Sequence, residues 1–159
     1  MKKRQVVDTS AWIEWMSDTA LGLSLAQDFP EGDQCIVPTM VLLELAKWLR
    51  RESHDHHRDE ILSIATGCAV HPLDMETAFL AARLGRAHGL TTADSAIYAT
   101  ARRNRAELIT CDADFADLPG VRLYPKGSLA PAVRLGTDPQ GRWVRWPTSG
   151  RLSARRVVA

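Results

Sequence analysis

The side chains best suited to chemistry in this sequence are acids that end two short apolar runs. Asp8 follows Val6 and Val7, and Asp112 closes the run 107–111. If both runs are strands of a parallel sheet, the two carboxylates lie at the same edge, because the carboxyl ends of parallel strands meet there. Neither acid has the sequence surroundings of an ordinary surface loop.

A third acid, Glu44, lies within the apolar stretch 40–49, which has the pattern of a largely buried helix. Two interpretations stay open for this residue. It can pair with Lys47 one turn away, which stabilises an exposed helix by only about 0.2–0.5 kcal/mol. Alternatively, it is a buried carboxylate, and such a group requires a cation because its desolvation is costly.

Two further acids have simple structural explanations. Asp94 is the fourth residue of Thr91-Thr92-Ala93-Asp94, the pattern of a capping box at a helix start. Asp114 is suited to the beginning of a turn. The chemical hypothesis therefore depends on four acids taken together, namely Asp8, Glu44, Asp94 and Asp112.

If these four carboxylates converge, each pair at about 4 Å repels by about 4 kcal/mol at an effective dielectric constant of about 20. Protons or a divalent ion must offset that repulsion, and if an ion does so, all-oxygen ligands select Mg²⁺ or Mn²⁺. Such an ion can bind a phosphate oxygen, generate hydroxide from bound water and stabilise the departing oxygen. The pattern thus indicates phosphodiester hydrolysis.

The elements that must position these acids are short strands alternating with helices over about 120 residues. This alternation predicts an α/β sandwich with a central, mainly parallel sheet. The predicted strands are 4–8, 35–37, 68–70, 107–112 and 121–125, and the predicted helices are 12–16, 18–29, 39–49, 61–66, 75–87 and 92–105.

Four segments in order resemble the signature of the PIN-domain family, with the spacing of VapC-type toxins. They are 7–10, a Pro-Thr-x-x-x-x-Glu-Leu stretch at 38–45, then 91–99 and 110–115. The resemblance covers about residues 4–125. It implies a three-layer sandwich and an Mg²⁺- or Mn²⁺-dependent endoribonuclease, the toxin of a type II toxin–antitoxin system, that leaves a 5′-phosphate and a 3′-hydroxyl.

The resemblance also implies roles for particular residues and partners. The acidic quartet of the family maps onto the four acids above, all as catalytic and metal-binding residues. Asp114 resembles a further acid of some members, and Thr9 or Thr110 would orient a ligand or water. A cognate antitoxin would cover the acidic groove, with an Arg among the carboxylates, and the chain would form a homodimer.

Three basic residues follow the helix that begins near Asp94: Arg102, Arg103 and Arg105. They are candidate RNA contacts, since cations bind phosphates, but cations at a helix C-terminus also interact favourably with its dipole. Both interpretations stay open. The group His54–His57 is better explained as a solvated linker than as a metal site, because it lies in a hydrophilic join.

Bulk features limit the class of protein. The N-terminus has no apolar run long enough for a signal peptide, and no segment reaches membrane-spanning length, so we expect a cytoplasmic protein. Cys35, Cys68 and Cys111 are widely spaced beside apolar residues, which predicts reduced, interior thiols. Trp12 and Trp15 are better explained as core than as an antitoxin docking site.

The chain divides by composition into a nuclease-like body, 1–126, and an Arg-rich extension, 127–159. Residues 128–159 contain six Arg and one Asp, a charge of +5, which leaves −4 for residues 1–127. Composition leaves open whether the extension is flexible or packs on the body.

Other functions remain as alternatives. One is a catalytically silent PIN-fold binding module, which the presence of all four acids disfavours. Another is a PIN nuclease with an RNA-processing role. A phosphohydrolase of the haloacid-dehalogenase type also has Asp after its first strand, but it needs a second Asp where Ser10 stands.

Overall fold

A central sheet of five short parallel strands organises the chain. The computed structural model describes residues 3–17, 19–51, 59, 63, 65–127, 133–137 and 143–147. The strands, in the order β3-β2-β1-β4-β5 across the sheet, are β1 (Gln5–Val7), β2 (Cys35–Pro38), β3 (Ala69–His71), β4 (Glu107–Thr110) and β5 (Val121–Leu123). The predicted α/β fold with a parallel sheet is confirmed.

The three inner strands carry the core of the sheet. Val6 of β1 pairs with Ile36 of β2 on one side and with Leu108 of β4 on the other, and all three are fully buried. Continuous burial along a strand is expected where helices cover both faces of a parallel sheet. The outer strands β3 and β5 are only half-buried to exposed.

Five described helices accompany this sheet: α1 (Thr9–Met16), α2 (Ala20–Asp28), α3 (Thr39–Arg51), α4 (Met75–His88) and α5 (Thr92–Arg103). Short 3₁₀ turns cover Gly32–Gln34 and Ala113–Phe115. From β1 the chain first adds β2 and β3 on one side of the sheet and then β4 and β5 on the other side. Because crossovers between parallel strands are right-handed, the helices of the two directions lie on opposite faces.

Side chains in the sequence set the helix ends. Asp8 is the N-cap of α1 and Thr91 that of α5, each accepting a backbone N–H of the first turn. Gly89 ends α4 in the left-handed region at φ 69°, a conformation that costs glycine little. Gly22 of α2 lies so close to α1 that a Cβ there would be 2.2 Å from the carbonyl oxygen of Glu14.

The core is built around buried aromatic side chains. Trp12, Tyr98 and Phe115 are the largest residues that are fully buried. The Trp12 ring meets Phe29 edge-to-face at 4.9 Å, and Trp15 stacks on Phe29 at 4.6 Å. The prediction that Trp12 belongs to the core is confirmed, and Trp15 packs against that core while half-buried.

Two strands occur where the sequence analysis predicted none. Val133–Thr137 (β6) and Trp143–Pro147 (β7) pair as an antiparallel two-stranded sheet. The predicted linker His54–His57 and residues 61, 62 and 64 of the predicted helix 61–66 lie outside the described residues. The other residues of that predicted helix, 63, 65 and 66, are helical. In the part of the chain that the structure describes, no helix has the length and apolarity needed to cross a membrane.

Candidate functional site

Asp8 lies at the carboxyl end of the central strand and is 3% exposed. Its backbone N–H donates to the carbonyl of Ile109 at 2.9 Å, which continues the β1–β4 pairing. Its Oδ2 accepts from the Ser10 hydroxyl at 2.5 Å, the Ser10 N–H at 3.3 Å and the Thr110 hydroxyl at 2.9 Å. Burial raises the pKa of Asp8, and these hydrogen bonds oppose that rise.

Thr110 connects Asp8 to the second predicted acid. Its hydroxyl oxygen accepts the backbone N–H of Asp112 at 3.0 Å while the hydroxyl lies 3.2 Å from that of Ser10. Ser10 also accepts the Cys111 N–H at 3.0 Å. The ends of β1 and β4 are therefore joined by side-chain hydroxyls, and Asp8 and Asp112 flank this junction.

Asp112 is half-buried and begins the 3₁₀ turn after β4. Its Oδ1 accepts the N–H of Asp114 at 2.9 Å, so it acts as the cap of that turn. Asp114 itself is exposed, in agreement with the start of a turn that its sequence context suggests.

Glu44 is half-buried on α3 and points to the same region through Thr9. The Thr9 hydroxyl donates to Oε2 of Glu44 at 2.5 Å. Among the described residues, Glu44 forms no ion pair with Lys47. The described part of the chain therefore does not contain the helical ion pair that was one interpretation of Glu44. Since Thr9 directly follows Asp8, Glu44 is tied to the β1–α1 junction.

Asp94 is held by the cap of its own helix. Its N–H donates to the Thr91 hydroxyl at 3.3 Å, and that hydroxyl donates to Oδ2 of Asp94 at 2.5 Å. Helix α5 packs against β1, β4 and α3, which carry or adjoin the other acids. The described hydrogen bonds of Asp94 nevertheless remain within the helix cap.

The four acids and their threonine partners suit a divalent ion in donor chemistry but not in spacing. Their donor atoms are carboxylate and hydroxyl oxygens, which suit Mg²⁺ or Mn²⁺. Within the described ranges, however, no three Asp, Glu, His or Cys side chains form a group that could hold a metal ion. The donor chemistry fits a hard cation, whereas the present spacing does not form a ligand set, so the predicted metal centre stays a prediction.

Arg103 has a structural role in this chain. Its guanidinium donates to both carboxylate oxygens of Asp74, at 2.7 and 2.8 Å, to the Thr77 hydroxyl at 2.6 Å, and to Glu76. The Arg103 hydrogen bonds hold the pKa of Asp74 well below its usual range. Arg103 thus fastens the end of α5 to the start of α4.

The two other candidate RNA contacts are less constrained. Arg102 donates to the Pro119 carbonyl at 3.2 Å and is exposed. Arg105 is exposed beyond the helix end, at φ 49°. Their predicted contact with RNA stays a prediction.

Ser10 is the residue of this site that sequence reasoning missed. The signal was present, because a serine two residues after an N-cap Asp can reach that carboxylate. The contacts of Ser10 with the end of β4 could not be inferred from the sequence, because they join residues that are 100 positions apart.

Comparison with known families identifies the class of protein. Residues 6–121 match the model of the PIN domain, so the chain belongs to the PIN-domain family. The predicted family is confirmed. No curated protein matches the chain.

Solved structures with this fold include toxin–antitoxin proteins. A toxin–antitoxin complex from Klebsiella pneumoniae superposes with a TM-score of 0.65 at 23% identity, over 74% of this chain and 95% of the other. VapC20 from Mycobacterium tuberculosis, described as a toxin that cleaves the sarcin–ricin loop, gives 0.63 at 20% identity, over 76% and 99%. DNA-bound VapBC from Salmonella typhimurium gives 0.60 at 12%, over 77% and 97%.

Proposed function

We propose that this chain is an Mg²⁺- or Mn²⁺-dependent endoribonuclease, the toxin component of a type II toxin–antitoxin system. The observation that carries the proposal is the hydroxyl-bonded junction of Asp8 and Asp112 at the strand ends of a PIN domain. Strand carboxyl ends are where parallel α/β sheets place their functional groups. The toxin role is supported by the toxin–antitoxin proteins among the structural relatives.

The proposed catalytic residues are the four acids Asp8, Glu44, Asp94 and Asp112, which would also bind the metal. When bound, the ion would neutralise phosphate charge and make water a stronger nucleophile for hydrolysis of the phosphodiester bond. The threonines orient the acids: Thr110 fixes Asp8, Thr9 fixes Glu44, and Thr91 fixes Asp94. Asp114 has an auxiliary role through its backbone bond with Asp112.

Orientation of Asp8 is the best-defined contribution of the protein itself. Donors from three groups converge on Oδ2, so that this oxygen is occupied and the plane of the carboxylate is fixed. A carboxylate fixed in this way loses little further freedom when it binds a cation. The RNA substrate would then be positioned by cations such as Arg102 and Arg105. Arg103 instead forms hydrogen bonds with Asp74 within the chain.

A cognate antitoxin and a homodimer are part of the same proposal. The Klebsiella relative was solved as a toxin–antitoxin complex and the Salmonella relative as VapBC bound to DNA. By analogy, the partner of this chain would be an antitoxin whose segment covers the acidic groove and supplies an Arg to it. Cations placed among several carboxylates offset their mutual repulsion.

A second candidate function is a catalytically silent PIN-fold binding module. It is favoured by the spacing of the acids, which form no three-membered ligand group in the described part of the chain. An active nuclease with an RNA-processing role would share the site with the proposed toxin and would differ from it in its RNA target and its partner.

The deciding experiment combines cleavage with metal binding. The purified full chain, freed of any partner, is incubated with total tRNA and ribosomal RNA in Mn²⁺ or Mg²⁺, with EDTA as one control. Asp8→Asn removes a site carboxylate, and Asp33→Asn removes an exposed acid in the distant 3₁₀ turn as a matched control. Calorimetry with Mn²⁺ alone is performed on all three proteins.

We expect discrete cleavage by the wild type and Asp33→Asn, with loss in EDTA and in Asp8→Asn. Mn²⁺ binding should weaken only in Asp8→Asn. A folded wild type that binds no Mn²⁺ would refute the nuclease proposal and favour the binding module. Growth arrest on expression, if relieved by co-expression of a cognate antitoxin, would separate a toxin from an RNA-processing enzyme.

A further inference from the structure

Two cysteines far apart in the sequence are side by side in the fold. The register of β2 and β3 pairs Ile36 with Ala69, and Cys35 and Cys68 are the residues immediately before this pair. Both are reduced cysteines, and their side chains share a hydrogen bond. The parallel sheet therefore brings together thiols that sequence analysis treated as separate.

The two thiols differ in their surroundings. Cys35 is fully buried, whereas Cys68 is only half-buried, just outside the edge strand. The hydrogen bond from Cys35 lowers the pKa of the Cys68 thiol, while the same bond, together with burial, raises the pKa of Cys35. A half-buried thiol at the sheet edge that has a lowered pKa and lies next to a second thiol has the features of a redox-sensitive cysteine.

We propose that Cys68 is a site of oxidation by peroxide and that Cys35 resolves the product to a Cys35–Cys68 disulfide. In the first step the Cys68 thiolate attacks hydrogen peroxide, the O–O bond breaks, and Cys68 becomes a sulfenic acid as hydroxide leaves. In the second, the Cys35 sulfur attacks the Cys68 sulfur, its proton and the sulfenic hydroxyl leave as water, and the S–S bond forms. Two thiols and one peroxide thus give one disulfide and two waters.

The usual spacing of neighbouring strands suits this bond. Neighbouring strands lie about 4.8 Å apart, which is inside the Cα–Cα range of about 4.4–6.8 Å found for disulfides. The bond would join β2 to the segment before β3 and close a loop that contains α3 and Glu44. The inference is independent of the proposed nuclease function, because it concerns the other side of β2 from the central strand.

The test is peptide mapping of the folded full chain after brief exposure to a small excess of hydrogen peroxide. Free thiols are then blocked with N-ethylmaleimide before digestion. We expect a cross-linked peptide containing Cys35 and Cys68, lighter than the two free peptides by about 2 Da because two hydrogens are lost. Cys111, buried on the far side of the sheet centre, should be recovered reduced, and dithiothreitol should restore both thiols.

Two variants separate the steps. In Cys35→Ser, which keeps a hydrogen-bond donor beside Cys68 but has no resolving thiol, Cys68 should stop at the sulfenic acid and be trapped by dimedone, with no cross-link. In Cys68→Ser, which replaces a half-buried thiol with a hydroxyl of similar size, Cys35 should remain reduced. Three results would each overturn the proposal. In treated wild type, they are recovery of Cys68 as an unoxidised thiol and conversion of Cys68 to sulfinic acid beside a reduced Cys35. In Cys68→Ser, the result is oxidation of Cys35.

Discussion

Thr110→Val is the perturbation that best tests the hydroxyl-bonded junction. The substitution keeps the shape of a fully buried side chain and removes its hydroxyl. The Asp8 carboxylate then loses one of its donors, and the Asp112 N–H loses its acceptor. Both losses occur at the proposed catalytic edge of the sheet.

The magnitude follows from these two bonds. A hydrogen bond to a charged group contributes about 1.5–3 kcal/mol, and a neutral one contributes about 0.5–1.5 kcal/mol. We therefore expect the free energy of unfolding to fall by about 2–4 kcal/mol at neutral pH. Thr100→Val is the matched control, because Thr100 is also buried but its hydroxyl donates only to the Ala96 carbonyl of its own helix. That control should lose less than about 1 kcal/mol.

Urea denaturation in EDTA measures both variants without any contribution from metal. Burial places the folded-state pKa of Asp8 above its unfolded value of 3.8, so protonation of Asp8 favours the folded protein as pH falls through the folded value. A protonated Asp8 depends less on donors, so the deficit of Thr110→Val should shrink on acidification below the folded pKa. An equal loss in the two variants, or a deficit independent of pH, would refute this account of the junction.

Other predictions concern the frame around the site. Arg103 lowers the pKa of Asp74, so the pair stabilises the fold above the unfolded pKa of 3.8 and ceases to do so as pH falls through the folded pKa. Arg103→Gln should therefore be less stable than wild type near neutral pH. The urea denaturation curves of the two proteins should converge in acid. Gly22→Ala places a Cβ against the Glu14 carbonyl and should cost about 3 kcal/mol or more, since backbone cannot yield easily. In Gly89→Ala the new Cβ has open space around it, but the residue must keep a left-handed φ, so the free energy of unfolding should fall by about 1–2 kcal/mol. Equal urea midpoints for Gly22→Ala and Gly89→Ala would contradict the packing argument.

Local features of the fold were predictable from the sequence because their causes are local. Asp8 directly follows β1 as expected, Asp112 lies two residues beyond the end of β4, and Thr91 caps α5 as its capping-box pattern predicts. Gly89 ends α4 because only a residue tolerant of positive φ suits that position. Periodicity, caps and turn residues act within a few positions of each other, so the sequence reveals them directly.

Contacts between distant segments were not predictable in the same way. The partner of Glu44 is Thr9, 35 positions away, and not the nearby Lys47. Arg103 binds Asp74, 29 positions away, although its sequence context suggested RNA or the helix dipole. Such pairings depend on strand order and helix packing, which single-sequence patterns do not specify.

Strand β1 is the first strand of the sheet to be synthesised, but its hydrogen-bonded neighbour β4 is the fourth of the five. The hydroxyl of Thr110, one of the donors to Asp8, lies 102 positions later in the chain. At a synthesis rate of about 5–20 residues per second, roughly 5–20 s separate the appearance of these two residues. Throughout that interval the central strand lacks β4, so the nascent chain cannot assemble the edge on which the proposed nuclease depends. The nuclease activity proposed above therefore cannot arise until most of the PIN domain has been translated.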